Sequence, residues 1–177
     1  VPSEARGQSH FAALARAILF QQVTTKAATT IHRRVCALTP GPRFPRPERM
    51  PELARGALRS AGVSAPKQRS LLDLAERVLD RRLTLGGIGR LSDEAIIEHL
   101  VSVRGIGVWS AQMFLMFRLG RLDLMPSTDL AIQQGIKNID GLAERPTPRQ
   151  VDARSENWAP LRSVAAWALW RSTDTKL

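Results

Sequence analysis

One cysteine, no tyrosine, four lysines and no long apolar run mark this chain of 177 residues. A single thiol, Cys36, excludes an intramolecular disulfide, a zinc finger and a cysteine-ligated iron–sulfur cluster, and fits a reducing interior compartment. No apolar stretch approaches the ~18 residues that span a bilayer, and no signal-peptide pattern opens the chain. Alternating apolar–polar runs long enough to be strands are missing, as are internal repeats and low-complexity tracts. The lysines are Lys26, Lys67, Lys137 and Lys176, so chemistry that needs an amine has few places to go.

What is present is a globular composition, 44% hydrophobic and 24% charged, with 26 basic side chains against 16 acidic ones. That length and composition allow one compact domain, or two small lobes, with a proper core. The net charge of +10, carried almost wholly by arginine, calls for a polyanionic partner. Nucleic acid is the default, with an anionic membrane surface or a generally arginine-rich proteome as the alternatives.

The apolar spacing is helical throughout. Phe11, Leu14, Ala15, Ile18 and Leu19 recur at three- and four-residue steps, which predicts a helix over 10–23 capped by Ser9. A second helix is expected over 26–38. The prolines between Thr39 and Pro51 exclude helix or central strand and predict a long surface loop. Further helices are predicted over 52–59, 67–82 (started by Pro66), 93–102 (capped by Ser92) and 108–119. Gly86–Gly89 is a break. Thr128 is the expected cap of a helix over 129–137, Thr147-Pro148 opens another, and Trp158-Ala-Pro160 leads into a last one reaching about Arg171. The fold class is therefore all-α, with roughly nine to ten helices.

The segment Val103-Arg-Gly-Ile-Gly-Val-Trp-Ser-Ala111 joins two of these helices. Its glycines permit positive φ and a close backbone approach. The amides of Gly105, Ile106 and Gly107, at the start of the following helix, can face an anion, gripping a phosphate without reading sequence. A plain helix–Gly–helix connection is the alternative; the apolar flanks Val103 and Ile106, the small Ala111 and the charge of +10 favour the phosphate reading. Asp129 opens a helix about twenty residues on, where the helix dipole favours a negative charge. It is either a catalytic carboxylate or merely a cap, and Asp123 and Asp140 are nearby rivals.

These residues resemble the helix-hairpin-helix (HhH-GPD) DNA glycosylase superfamily. The segment 103–111 is similar to its hairpin, and Met125-Pro-Ser-Thr-Asp-Leu-Ala-Ile132 to its aspartate segment. The stretch Phe11–Ala28, with Phe-Gln-Gln-Val at its centre, resembles the opening helix and turn of the AlkA-type 3-methyladenine DNA glycosylases. Trp158–Trp170 resembles their closing helix. The likeness runs from about residue 8 to residue 171 and implies a two-lobed helical fold forming a single domain over 1–177. The helix-hairpin-helix is expected at about 93–119, without room for an extra N-terminal β domain.

The resemblance assigns roles residue by residue. Asp129 stabilises the positive charge that builds on the sugar as an N-glycosidic bond breaks. Trp109 and Trp170 match pocket tryptophans that hold a flipped base, although core packing is the commoner fate of a helical tryptophan. Met113 stands where the family has a pocket tyrosine, leaving a softer pocket, and Ala131 lines it with little bulk. Gln21 and Gln22, in the Gln21-Gln22-Val23 turn, are expected to contact DNA, with Gln22 as the wedge filling the gap in the stack, against a buried or capping role; Phe20 replaces a usual glycine there. Lys67 and Arg69 are expected to touch phosphates or to form a solvated basic face. Arg162 is expected to partner carboxylates, with support of Asp129 as one option, and Trp158 and Trp167 to pack in the core or between helices. Bifunctional relatives carry a lysine just after the second hairpin glycine; Trp109 occupies that position, which implies base excision without a lyase step. No organic cofactor is implied. A structural Na+ or K+ against the carbonyls of Val101, Val103 and Ile106 is.

The expected activity is that of a monofunctional, monomeric glycosylase that excises alkylated purines such as 3-methyladenine and 7-methylguanine from duplex DNA. The expected location is the cytoplasm of a bacterium, near the nucleoid, or a nucleus. A glycosylase for hypoxanthine, an oxidised purine or uracil is one alternative. A non-enzymatic hairpin module that grips DNA is the other.

Overall fold

The computed structural model describes residues 8–41 and 43–174. They form ten α-helices linked by turns and short 3₁₀ segments, with no strand among the described residues. No helix is long and apolar enough to cross a membrane. The chain divides into two compact units, one running to Phe114 and the other beginning at Leu115.

The first unit contains α1 (His10–Phe20), α2 (Thr25–Cys36), α3 (Met50–Leu53), α4 (Ala57–Ser60), α5 (Ala65–Leu79), α6 (Asp93–Val101) and α7 (Val108–Met113). Helix α1 packs against α2 and α5. Its apolar stripe, Leu14, Ile18 and Leu19, is fully buried together with Leu71 and Leu74 of α5. Each such side chain contributes about 1.5–3 kcal/mol relative to exposure. Ser9 caps α1 by accepting the Ala12 amide at 3.1 Å, and Ser92 caps α6 by accepting that of Ala95 at 3.2 Å, as expected.

Four predicted elements differ. The loop predicted over 39–51 gives way to a 3₁₀ turn at Pro47–Arg49 and to α3 from Met50, because proline is tolerated in the first turn of a helix. Helix α1 stops at Phe20 rather than Val23, because Gln21 is extended (φ −61°, ψ 136°) and Gln22 takes φ +52°. The helix expected over 52–59 is two short turns, α3 and α4, separated where Gly56 adopts φ +153°. The helix after the hairpin is α-helical only to Met113 and continues as a π-helical turn over Phe114–Arg118. Such turns re-aim side chains and recur at functional sites.

The second unit is built from α8 (Leu130–Asp140), α9 (Pro148–Ser155) and α10 (Arg162–Asp174). Its core is Met125, Ile132, Ile136, Val151, Ala166 and Leu169. Helices α8 and α10 pack face to face, and Gly135 lets them do so. A Cβ there would lie 3.1 Å from the Leu169 carbonyl oxygen and 3.1 Å from its Cδ2. The carbonyl is backbone and cannot step aside. Gly135→Ala is therefore expected to destabilise the protein by about 1–3 kcal/mol, outweighing the ~1 kcal/mol that alanine gains in helix propensity. A urea titration measures the difference; an unchanged or raised midpoint would refute this account of the packing.

Candidate active site

In the first unit, α5 organises two turns. Lys67, in its first turn, donates from Nζ to the carbonyls of Leu19 and Gln21, both at 2.7 Å. These oxygens belong to the end of α1, where carbonyls lack intrahelical partners and a cation is favoured. Partial burial lowers the Lys67 pKa from the ordinary lysine value. The expectation that Lys67 reaches a phosphate is thus corrected in part: two of its three ammonium donors are held by the α1–α2 turn. Arg69, two residues on, is exposed.

The hairpin over 102–107 is seated on α5. Asp73 Oδ2 accepts the Arg104 amide at 2.7 Å and the Arg77 Nε at 2.9 Å. Gly105 adopts φ +79° and packs so closely on the buried Ser70 that a Cβ would fall 2.5 Å from its Oγ. Gln21 reaches across from the α1–α2 turn, donating from Nε2 to the Gly105 carbonyl at 2.8 Å and, at a longer 3.4 Å, to Ser110 Oγ. Gln21, expected among the DNA contacts, is a strut whose Nε2 donors are spent on the hairpin and on Ser110. Gln22 behind it is exposed, as a wedge must be, and Thr24 then caps α2 by accepting the Ala27 amide at 3.3 Å.

Ile106 needs a second correction. Its side chain is buried and its amide donates to the Val103 carbonyl at 3.1 Å, so it offers no donor to a phosphate. Gly105 and Gly107 are exposed. Among the three oxygens expected to hold a monovalent cation, only Val103 enters the hairpin's turn hydrogen bonds, as an acceptor with a second lone pair. Val101 ends α6, where carbonyls lack intrahelical donors.

Trp109 follows the hairpin and is 45% exposed, too open for a core residue. Met113 is half-buried. A separate cleft of about 1190 Å³ lies between the start of α1 and the end of α2, lined by Arg33, Arg46 and Arg49 among others. It contains none of the predicted site residues and is not the active site.

In the second unit, the turn before α8 presents Asp129. The Asp129 amide donates to Pro126 O at 2.9 Å, and the buried Gln133 holds the Ser127 carbonyl through Nε2 at 3.0 Å. Asp129 Oδ1 accepts the amides of Ala131 at 2.8 Å and Ile132 at 3.2 Å. Asp129, not Thr128, is therefore the N-cap of α8. Capping and catalysis are not exclusive: the two bonds fix the plane of a half-buried carboxylate, and the helix dipole favours its charge. Ala131 is half-buried beside it.

The rivals are otherwise engaged. Arg162 grips Asp123 through two bonds, Nε to Oδ1 at 2.7 Å and NH2 to Oδ2 at 2.8 Å. Asp140 is paired with Arg154 at 3.0 Å. Arg162 thus partners Asp123, and the option that it supports Asp129 is set aside. Beside it, the Ser163 amide donates to Leu122 O at 2.8 Å and Ser163 Oγ accepts the Leu124 amide at 3.0 Å, stitching the start of α10 to 122–124. Hydrogen bonding from Arg162 holds the Asp123 carboxyl below its ordinary value of 3.8. A carboxyl depressed in the folded state stabilises above its unfolded pKa and loses that contribution as pH falls toward the folded value. The stability advantage of wild type over Asp123→Asn is thus expected to shrink between about pH 6 and about pH 2. Urea midpoints across that range test it; a constant difference would show that the pair carries no linkage.

Aromatic placement brings one correction and one addition. Trp158 is partly buried against the core with the Arg154 guanidinium 4.5 Å from its ring. Trp167, expected in the core or in helix packing, is 56% exposed, which excludes the core. It lies two residues before Leu169, on a face of α10 that turns outward. Trp170 is half-buried, and Phe117 lies 5.9 Å from it at 31°. Phe117 is itself 48% exposed and is carried by the π-helical turn. Sequence reasoning missed it because helical spacing places a residue there by α geometry, which the π turn replaces.

A glycine hairpin joining two helices, followed by an aspartate that caps a third, is the arrangement of a helix-hairpin-helix protein. The chain matches the model of the HhH-GPD superfamily base excision DNA repair proteins over residues 15–160. A relative, DNA-3-methyladenine glycosylase 1 of Schizosaccharomyces pombe, is 38% identical over 90% of this chain and 71% of its own length. The DNA-3-methyladenine glycosidase structure from Bacillus halodurans superposes with a TM-score of 0.85 at 34% identity, covering 94% of this chain and 76% of that one. The S. pombe 3-methyladenine DNA glycosylase bound to abasic DNA superposes with a TM-score of 0.79 at 35% identity, over 97% and 85% of the two chains. The chain belongs to the HhH-GPD superfamily of base excision DNA repair proteins.

Proposed function

We propose that this protein is a monofunctional DNA glycosylase that acts as a monomer on duplex DNA and excises alkylated purines, 3-methyladenine and 7-methylguanine above all. The observation that carries the reading is Asp129, its carboxylate fixed at the start of α8 by the amides of Ala131 and Ile132. The names of the relatives, 3-methyladenine DNA glycosylases, supply the lesion class.

The hairpin amides of Gly105 and Gly107 grip a phosphate and position the duplex. Gln22 enters the stack as the damaged nucleotide leaves it. Trp170 with Phe117 offers the flipped base an aromatic surface, and a cationic alkylpurine gains cation–π attraction there. The C1′–N bond then breaks and its electron pair leaves with the base, neutralising the purine's positive charge. Asp129 stabilises the oxocarbenium-like sugar until a water oxygen bonds to C1′ and sheds its proton. A cation on the hairpin carbonyls would supply positive charge near the gripped phosphate. No lysine lies between Lys67 and Lys137, and Lys67 is held by the α1–α2 turn, so nothing in the described hairpin forms a Schiff base with the sugar.

A panel of duplexes, each with one lesion, tests the assignment. Release of 3-methyladenine and 7-methylguanine, faster than of hypoxanthine, an oxidised purine or uracil, is the expected result. Preference for one of the other lesions would overturn the substrate class. Equal binding of damaged and undamaged duplex with no base released would leave a DNA-gripping module.

A further inference from the structure

Gln22 holds a backbone conformation, φ +52°, that non-glycine residues rarely adopt, at an exposed position. Such a residue stays in place only when its surroundings over-determine it. The restraints are visible on both sides. Thr24 caps α2 immediately after it. Immediately before it, the Gln21 carbonyl accepts Lys67 Nζ and the Gln21 side chain donates to the Gly105 carbonyl of the hairpin. Lys67 also holds Leu19, so one ammonium closes the end of α1 and fixes the first residue of the turn. The same helix, α5, carries Ser70 and Asp73, on which the hairpin sits.

We infer that Lys67 is a positioning residue for base flipping: its ammonium sets the α1–α2 turn in register with the hairpin, so that gripping the phosphate also aims Gln22. The inference rests on the reading of Gln22 as the residue that fills the vacated stack. Lys67 touches neither base nor sugar. Its loss leaves the phosphate grip intact and removes the coupling between grip and wedge. A lysine spent only on stability would give another pattern, with flipping and undamaged-DNA binding falling together or neither changing.

The test uses the full chain and a methylated-purine duplex with a fluorescent base analogue beside the lesion, which brightens as the stack opens. Lys67→Met keeps the aliphatic stem and removes the donors, Lys67→Arg restores them, and Gln22→Ala is the reference for a lost wedge. Lys67→Met is expected to reduce both the fluorescence change and single-turnover base release by about tenfold, with undamaged-duplex affinity altered by less than about twofold. Lys67→Arg should recover to within about threefold of wild type. The double variant Lys67→Met/Gln22→Ala should be no slower than the slower single variant, because both remove the same step. Lys67→Gln, which keeps two N–H donors, replaces the methionine variant if that one does not fold, and should fall between wild type and Gln22→Ala. A tenfold loss in Gln22→Ala beside an unchanged Lys67→Met would overturn the role of Lys67 and leave the wedge standing. An inert Gln22→Ala would overturn the wedge reading itself. Additive losses in the double variant would show that Lys67 acts elsewhere.

Discussion

Asp129→Asn is expected to abolish most base release while leaving the fold and DNA binding nearly untouched. Asparagine is among the best N-cap residues, and its side-chain oxygen can take over the amides of Ala131 and Ile132. What it removes is the negative charge. Groups that stabilise developing charge in a transition state contribute about 10²–10³-fold, so single-turnover release should fall by about that factor, with stability changed by less than about 1 kcal/mol. Asp129→Ala should show the same catalytic loss together with about 1 kcal/mol of lost stability, since the cap goes too. The pair of variants separates the two duties of one carboxylate. An Asn variant that keeps wild-type rates would make Asp129 a cap and nothing more.

The second large effect belongs to Gly105. Alanine there meets two obstacles, the left-handed φ of +79° and a Cβ only 2.5 Å from Ser70 Oγ. The backbone conformation alone costs about 1–2 kcal/mol for a residue with a Cβ, and the clash adds about 1–3 kcal/mol unless the hairpin moves. Gly105→Ala should therefore lower stability by about 2–5 kcal/mol and weaken duplex binding, because the amide proposed to face the phosphate shifts with the turn. Adding Ser70→Ala removes the oxygen in the closest contact and should restore part of the loss, leaving the cost of the dihedral. Urea titration of the four proteins in a double-mutant cycle reads both terms. No coupling between positions 70 and 105 would contradict this packing of the hairpin on α5.

The residues that sequence reasoning placed well are those whose chemistry is local. Ser9 and Ser92 cap helices because a hydroxyl reaches an amide three residues on, a property of the chain's nearest neighbours. The α1 stripe and the hairpin glycines are legible for the same reason: period and backbone freedom are written in consecutive residues. The missed features depend on partners far along the chain. Lys67 and Gln21 have the composition of phosphate ligands, and only the meeting of α5 with the end of α1 shows two of the lysine's donors and the glutamine's amide nitrogen spent inside the protein. Arg162 chooses Asp123 over Asp129 because the start of α10 is stitched to residues 122–124. Phe117 was hidden by a π turn that no spacing rule announces. Asp129 is intermediate: its position at a helix start is legible, but whether it or Thr128 caps the helix is a matter of backbone angles.

The most direct test of the central claim is product analysis on methylated duplex DNA incubated with the wild-type protein. Free methylated purines should appear by chromatography, with strands that stay intact until alkali cleaves the abasic sites left behind. Strand breaks without alkali would contradict the monofunctional mechanism. No released base at all, with the duplex still bound, would contradict the assignment of this site to glycosidic bond cleavage.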